Sequence, residues 1–141
     1  MMKILLVMSM IVLVGCQSKS NPQVLTVEQA QKAVDAYIKY VQNPTDSTET
    51  KFDVQGRFTV KELKADVADP DVTKAMLQLE NVQWFHKGLG GDIIKQQCGN
   101  DGEALFMHEK GGPWKLLEVG CPLGKTFIYI FGVQNSPIKV E

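Results

Sequence analysis

Apolar residues fall into two periods along the chain, and the change from one to the other divides it. Val27, Ala30, Val34, Tyr37, Ile38 and Val41 recur at spacings of three and four, which predicts one buried stripe on a helix. Thr26 and Gln29 stand at capping-box spacing before it, Glu28–Lys32 and Asp35–Lys39 are favourably ordered i,i+4 pairs, and Asn43-Pro44 ends it. After a polar stretch at 45–51, Phe52, Val54, Phe58 and Val60 alternate with polar residues, the pattern of a half-buried strand. Gly56 in its middle predicts a bulge or a close backbone approach. The phase is lost around Lys61, where Thr59-x-x-Glu62 could open a short helical turn. Asp69-Pro70 then has the form of a helix start, with Val72, Ala75, Met76, Leu79 and Val82 as a second buried stripe and Gly88 as terminator.

From Asp92 on, three Gly- or Pro-containing turn signals at 99–102, 110–113 and 122–125 leave strand-length segments at 92–98, 103–109, 114–121 and 126–133. The expected fold class is α+β: an N-terminal helix and a second helix packed on an antiparallel sheet with a C-terminal four-stranded meander. That element order loosely resembles cystatin-like and NTF2-like α+β folds.

The N-terminus carries a different signal. Met1-Met2-Lys3 precedes an apolar run from Ile4 to Val14, broken only by Ser9. Eleven helical residues span roughly 16 Å, about half of a hydrocarbon core, so the run has the length of a signal-peptide core rather than of a membrane span. Leu13-Val14-Gly15-Cys16 follows and resembles the lipobox of bacterial lipoprotein precursors. The resemblance covers residues 1–16. It implies that a diacylglycerol is attached to the Cys16 thiol, that cleavage removes residues 1–15, and that the new amino group is acylated. Several acyl chains hold a protein at a membrane almost irreversibly, where one chain does not. In that family an Asp directly after the cysteine retains the product at the inner membrane; here Gln17 stands there, so the outer membrane, on its periplasmic side, is the expected location. The polar stretch from Gln17 to Thr26 then reads as a tether of roughly 17 Å r.m.s. span. The expected organisation is signal peptide 1–15, lipidated cysteine and tether 16–26, and one domain 27–141.

Composition narrows the function classes. The chain has 141 residues, enough for one domain, with 44% hydrophobic and 22% charged residues, which excludes wholesale disorder. Fifteen Lys and Arg against sixteen Asp and Glu give a formal net charge of −1. No nucleic-acid partner is expected, because phosphate neutralisation requires clustered cations.

Three cysteines are present, Cys16, Cys98 and Cys121. With Cys16 consumed by lipid and the chain exported to an oxidising compartment, Cys98 and Cys121 are expected to form a disulfide. In the expected meander the 103–109 strand separates them by about 9.6 Å, beyond the ~7 Å reach of a disulfide between Cα atoms. Both cysteines must therefore lie past the end of that strand, or the strand order must differ.

His86 and His108, with Asp92 or Glu109, are the conceivable metal or hydrolytic groups, but no H-E-x-x-H or comparable spacing joins them. A loop histidine and a partly buried sheet histidine are the expected roles. Gly120-Cys-Pro-Leu-Gly124-Lys125-Thr126 is one residue short of a phosphate loop and runs into a β-rich segment instead of a helix. No metal, cofactor or catalytic residue is expected. Trp84 falls off the second stripe, so Trp84, Phe85 and Trp114 form the candidate interface, with Trp84 alternatively covering a sheet edge. The expected function is that of a non-enzymatic binding or accessory module for an envelope protein or the cell wall. The alternative is a small-ligand or inhibitor module with an apolar cavity between helix and sheet.

Overall fold

The computed structural model describes residues 24–45, 51–109, 111–123, 126–132 and 138–140, with backbone alone for Leu123 and 126–132. Cys16, the apolar run Ile4–Val14 and most of the expected tether lie outside these residues. Described elements are one helix, α1 (Val27–Gln42), and seven strands: β1 (Asp53–Ala65), β2 (Val72–Lys87), β3 (Ile93–Gln97), β4 (Asp101–His108), β5 (Trp114–Leu123), β6 (Thr126–Gly132) and β7 (Ile138–Lys139). Every pairing among them is antiparallel. The molecule is mostly β, a curled half-barrel of sheet with α1 packed on it.

Helix α1 follows from its sequence. The Thr26 side chain accepts from the Gln29 amide at 3.2 Å, and the Gln29 side chain accepts in return from the Thr26 amide at 3.1 Å, closing the capping box. Ala30, Ala33, Val34, Tyr37 and Val41 are the buried stripe, and Glu28 reaches Lys32 at 3.1 Å on the solvent side. Leu25, expected in the tether, is buried in the core.

The second helix does not form; its residues belong to β2, sixteen residues long. Thr73, Ala75, Leu77 and Leu79 are buried in strict alternation, and Val82 and Trp84 resume the alternation one residue out of phase. The slip sits at Asn81, with φ 52°. Ala75, Leu79 and Val82 therefore share a face at spacings of four and three, the signature of a helix, because an irregularity converts an odd spacing into an even one. Val72 and Met76, the other members of the expected stripe, are half-buried on alternate positions. Asp69-Pro70 opens a turn: the Val72 amide donates to the Asp69 carbonyl at 3.1 Å. Nor does a helical turn form after Lys61, where β1 slips register between Val60 and Glu62 and continues to Ala65. With the second helix goes the likeness to cystatin-like and NTF2-like element orders.

The sheet order is β1-β2-β4-β5-β6, with β3 also on β2 and β7 also on β5. Since β1 occupies one edge of β2 as far as Phe85, β3 (opposite Gln83–Lys87) and β4 (opposite Val72–Gln78) lie end to end along the other. They are one interrupted strand, and the expected hairpin between 92–98 and 103–109 is absent. Strands β6 and β7 share an edge of β5 in the same way. The four-stranded meander is thus replaced by a sheet five positions wide that also contains β1 and β2.

This arrangement resolves the spacing of the cysteines. Cys98 sits in the break between β3 and β4, where its amide donates to the Val82 carbonyl at 3.0 Å and Leu79 donates to Asn100 at 2.7 Å. Cys121 lies just past Gly120, the partner of Glu103 near the start of β4. No strand intervenes, the Cα atoms are 5.8 Å apart, and the Cys98–Cys121 disulfide forms.

The break belongs to a crease crossing the sheet. Strand β1 slips at Gly56 (φ 98°) beside Asn81, β3 gives way to β4 at Cys98–Asn100, and β5 slips against β6 between Val119 and Gly120. Bulges bend strands and increase twist, which curls the sheet around the helix. Tyr37 of α1 and Phe106, Leu116 and Val119 of the sheet are fully buried in the core between helix and sheet.

Candidate functional site

The turn between β1 and β2 is built by its own carboxylates. Asp66 accepts from the amides of Ala68 (2.8 Å) and Asp69 (3.0 Å), and Asp69 accepts from the Asp71 amide (3.0 Å). Asp71 then joins the turn to the end of β4: its carbonyl accepts from the His108 amide at 3.0 Å, and its carboxylate lies 3.3 Å from His108 Nε2. His108 Nδ1 faces the Glu109 carbonyl at 3.2 Å, and its ring stands edge-on to Trp114 with centroids 4.2 Å apart. A neutral imidazole has one N–H and donates to only one of these oxygens at a time.

These contacts wall a half-open cleft of about 330 Å³ at the end of the domain where the chain enters α1. Val24 and Leu25 form the side nearest the helix, Leu63, Ala65 and Pro70 the side of the β1–β2 hairpin, and Thr73, His108 and Trp114 the floor and far wall. Thr73 and His108 are each 8% exposed, the two buried polar residues in the described core. Thr73 Oγ1 has no hydrogen-bond partner among the described residues, which leaves it free to bond an occupant. Val24 is 81% exposed and Val67, in the turn, fully so; both are apolar residues of the same end of the domain.

Other expected site residues are dispersed. Trp84 is 2% exposed and belongs to the core, so it neither anchors a partner nor covers an edge. A helix would leave Trp84 off the buried stripe, whereas on the strand the slip at Asn81 turns it inward with Val82. Phe85 points to the other face, half-buried, with Lys95 Nζ 5.8 Å from its ring centroid. Trp114, half-buried, is the one member of the trio at the cleft. Trp84 and Phe85 share the far end of β2, so the three do not form one surface.

His86 is on a strand, not in a loop: it pairs with Ile94, half-buried, with its ring 5.3 Å from Phe52. Fourteen residues of β2 separate it from the His108 end, about 46 Å at strand rise. Asp92 sits at the β2–β3 turn, where its carbonyl accepts from Gly88. His86 and Asp92 therefore share one end of the sheet while His108 and Glu109 stand at the other, and among the described residues no three His, Cys, Asp or Glu side chains could hold a metal ion. No described helix is long and apolar enough to cross a membrane.

Sequence patterning singled out His108 and Trp114 but missed Thr73, Leu63, Ala65 and Pro70. A β1–β2 hairpin joined by the Asp66–Asp71 turn would have gathered them, and the helical reading of Asp69-Pro70 removed that hairpin. No family model matches the chain, and no curated protein or solved structure shows significant similarity to it.

Proposed function

We infer that the protein is a lipid-anchored envelope lipoprotein, held through Cys16 at the periplasmic face of the bacterial outer membrane. Its domain is a non-enzymatic binding module for another envelope component. The observation that carries this reading is the accounting of thiols. Cys98 and Cys121 bond each other, which fits an oxidising compartment, and the third cysteine is the one that follows Leu13-Val14-Gly15. Core packing begins at Leu25, nine residues after Cys16. The eight residues from Gln17 to Val24 reach at most about 29 Å when fully extended, so the anchor would hold the cleft close to the bilayer.

Mass spectrometry of the intact product tests the anchor. The expected species begins at Cys16, carries acyl mass and partitions into detergent, while the Cys16→Ser chain carries no acyl mass and keeps residues 1–15. A wild-type product that keeps residues 1–15 and carries no lipid overturns the reading.

A further inference from the structure

The cleft is apolar within and acidic around its mouth. Asp66, Asp69 and Asp71 lie in the turn that carries Pro70, and the Asp71 carboxylate stands 3.3 Å from His108 Nε2. Strand alternation takes the neighbouring described cations away from it: Lys64, Lys74 and Lys115 each come directly after a lining residue, Leu63, Thr73 or Trp114, and so project to the opposite face. Lys110 lies outside the described residues. The floor also offers a free hydroxyl, Thr73 Oγ1, on a side chain more than nine-tenths buried.

Size and openness bear on the occupant. A small-molecule site encloses most of its ligand, in a volume of about 300–1,000 Å³. This cleft is at the lower bound and half-open, which suits one anchoring side chain of a larger partner. An apolar body with a polar tip matches apolar walls and a free hydroxyl, and Tyr and Trp have that form. An acidic mouth favours cations flanking the anchor and opposes an anionic lipid surface.

We propose that the cleft bounded by Leu25, Leu63, Pro70, Thr73, His108 and Trp114 docks a basic peptide segment of a partner protein, with one Tyr or Trp seated against Thr73. This deepens the reading of the domain as a binding module and is independent of the anchor.

The test uses the full chain carrying Cys16→Ser, titrated with N-acetyl-Lys-Trp-Lys-amide and followed by NMR. Shifts are expected at the Trp114 indole N–H, the Thr73 amide and the His108 ring. Binding should weaken as salt rises from about 20 to about 200 mM, because the mouth is solvent-exposed. Substituting both lysines of the peptide by glutamate, or its tryptophan by alanine, should weaken binding by at least about tenfold, that is by about 1.4 kcal/mol. Thr73→Val keeps the shape of the floor without its hydroxyl and should also weaken the tryptophan peptide; Ala65→Trp narrows the cleft from its rim and should abolish the shifts.

Equal binding of the glutamate peptide, shifts that persist in the Ala65→Trp chain, or no shifts up to about 5 mM peptide, where even a binding free energy of a few kcal/mol would register, overturn the proposal. Peptide binding by a chain whose wild-type form proves unlipidated leaves it standing and removes only the anchor.

Discussion

Gly56 lies directly against the backbone of Asn81: a Cβ on Gly56 would stand 2.5 Å from the Asn81 carbonyl oxygen. Its φ of 98° is also outside the range that residues with a side chain adopt readily. Both effects act at the crease, where the two longest strands bend together. Gly56→Ala is therefore expected to destabilise the domain by about 2–4 kcal/mol, the sum of backbone strain and displaced strand backbone. Asn81→Gly relieves a left-handed φ and should leave stability within about 1 kcal/mol of wild type. Urea unfolding of the two variants checks the contrast, and equal effects would mean that the close approach is not what holds the crease.

Gln31 closes the free edge of β1. Its carboxamide donates to the Phe58 carbonyl at 2.9 Å and accepts from the Val60 amide at 2.8 Å, as a neighbouring strand would. An uncovered strand edge is a template for pairing with another chain. Gln31→Ala should cost about 1–2 kcal/mol, through two lost bonds at partly buried backbone groups. It should also raise self-association, measured by sedimentation as a function of concentration. A variant as monomeric and as stable as wild type would show that water serves this edge equally well.

Reducing the Cys98–Cys121 bond, or replacing both cysteines by alanine, removes a cross-link closing a loop with a sequence separation of 23. The chain-entropy model gives a loss of about 3 kcal/mol for a loop of this size. Excess reductant should lower the denaturant midpoint of wild type to that of the double variant and leave the variant's own midpoint unchanged. A reductant-sensitive double variant would contradict this assignment.

Trp84 fills the core under β1 and β3, opposite Val54 and Gln96. Trp84→Ala should cost about 3–5 kcal/mol through lost burial and the cavity left behind. Any loss of binding in that variant should follow its unfolding in parallel. At the cleft, Thr73→Val should instead reduce peptide binding without lowering stability, because the buried hydroxyl it removes has no partner among the described residues.

Legibility in the sequence tracked the range of the interactions. The capping box of Thr26 and Gln29 and the stripe from Ala30 to Val41 are local, and the helix stands where they place it. Alternation from Val54 to Val60 with a bulge at Gly56 was equally plain, and β1 follows it. Segment β2 misled because its phase slip at Asn81 imitates a spacing of four and three. Only the neighbouring strands, Gly56 on one side and the Cys98–Asn100 break on the other, make that slip favourable. The cleft was illegible for the same reason: Leu63, Ala65 and Thr73 meet only if β1 and β2 form a hairpin.

Residue order alone thus set the capped helix and the disulfide partners, because each rests on neighbouring residues or on the chemistry of one side chain. Tertiary structure decided that residues 72–87 extend instead of coiling, that β3 and β4 share one edge of β2, and that an apolar cleft with an acidic mouth opens beside Thr73. Strand pairing is non-local, and a backbone segment with apolar residues compatible with two periods takes the one whose hydrogen bonds its neighbours can complete.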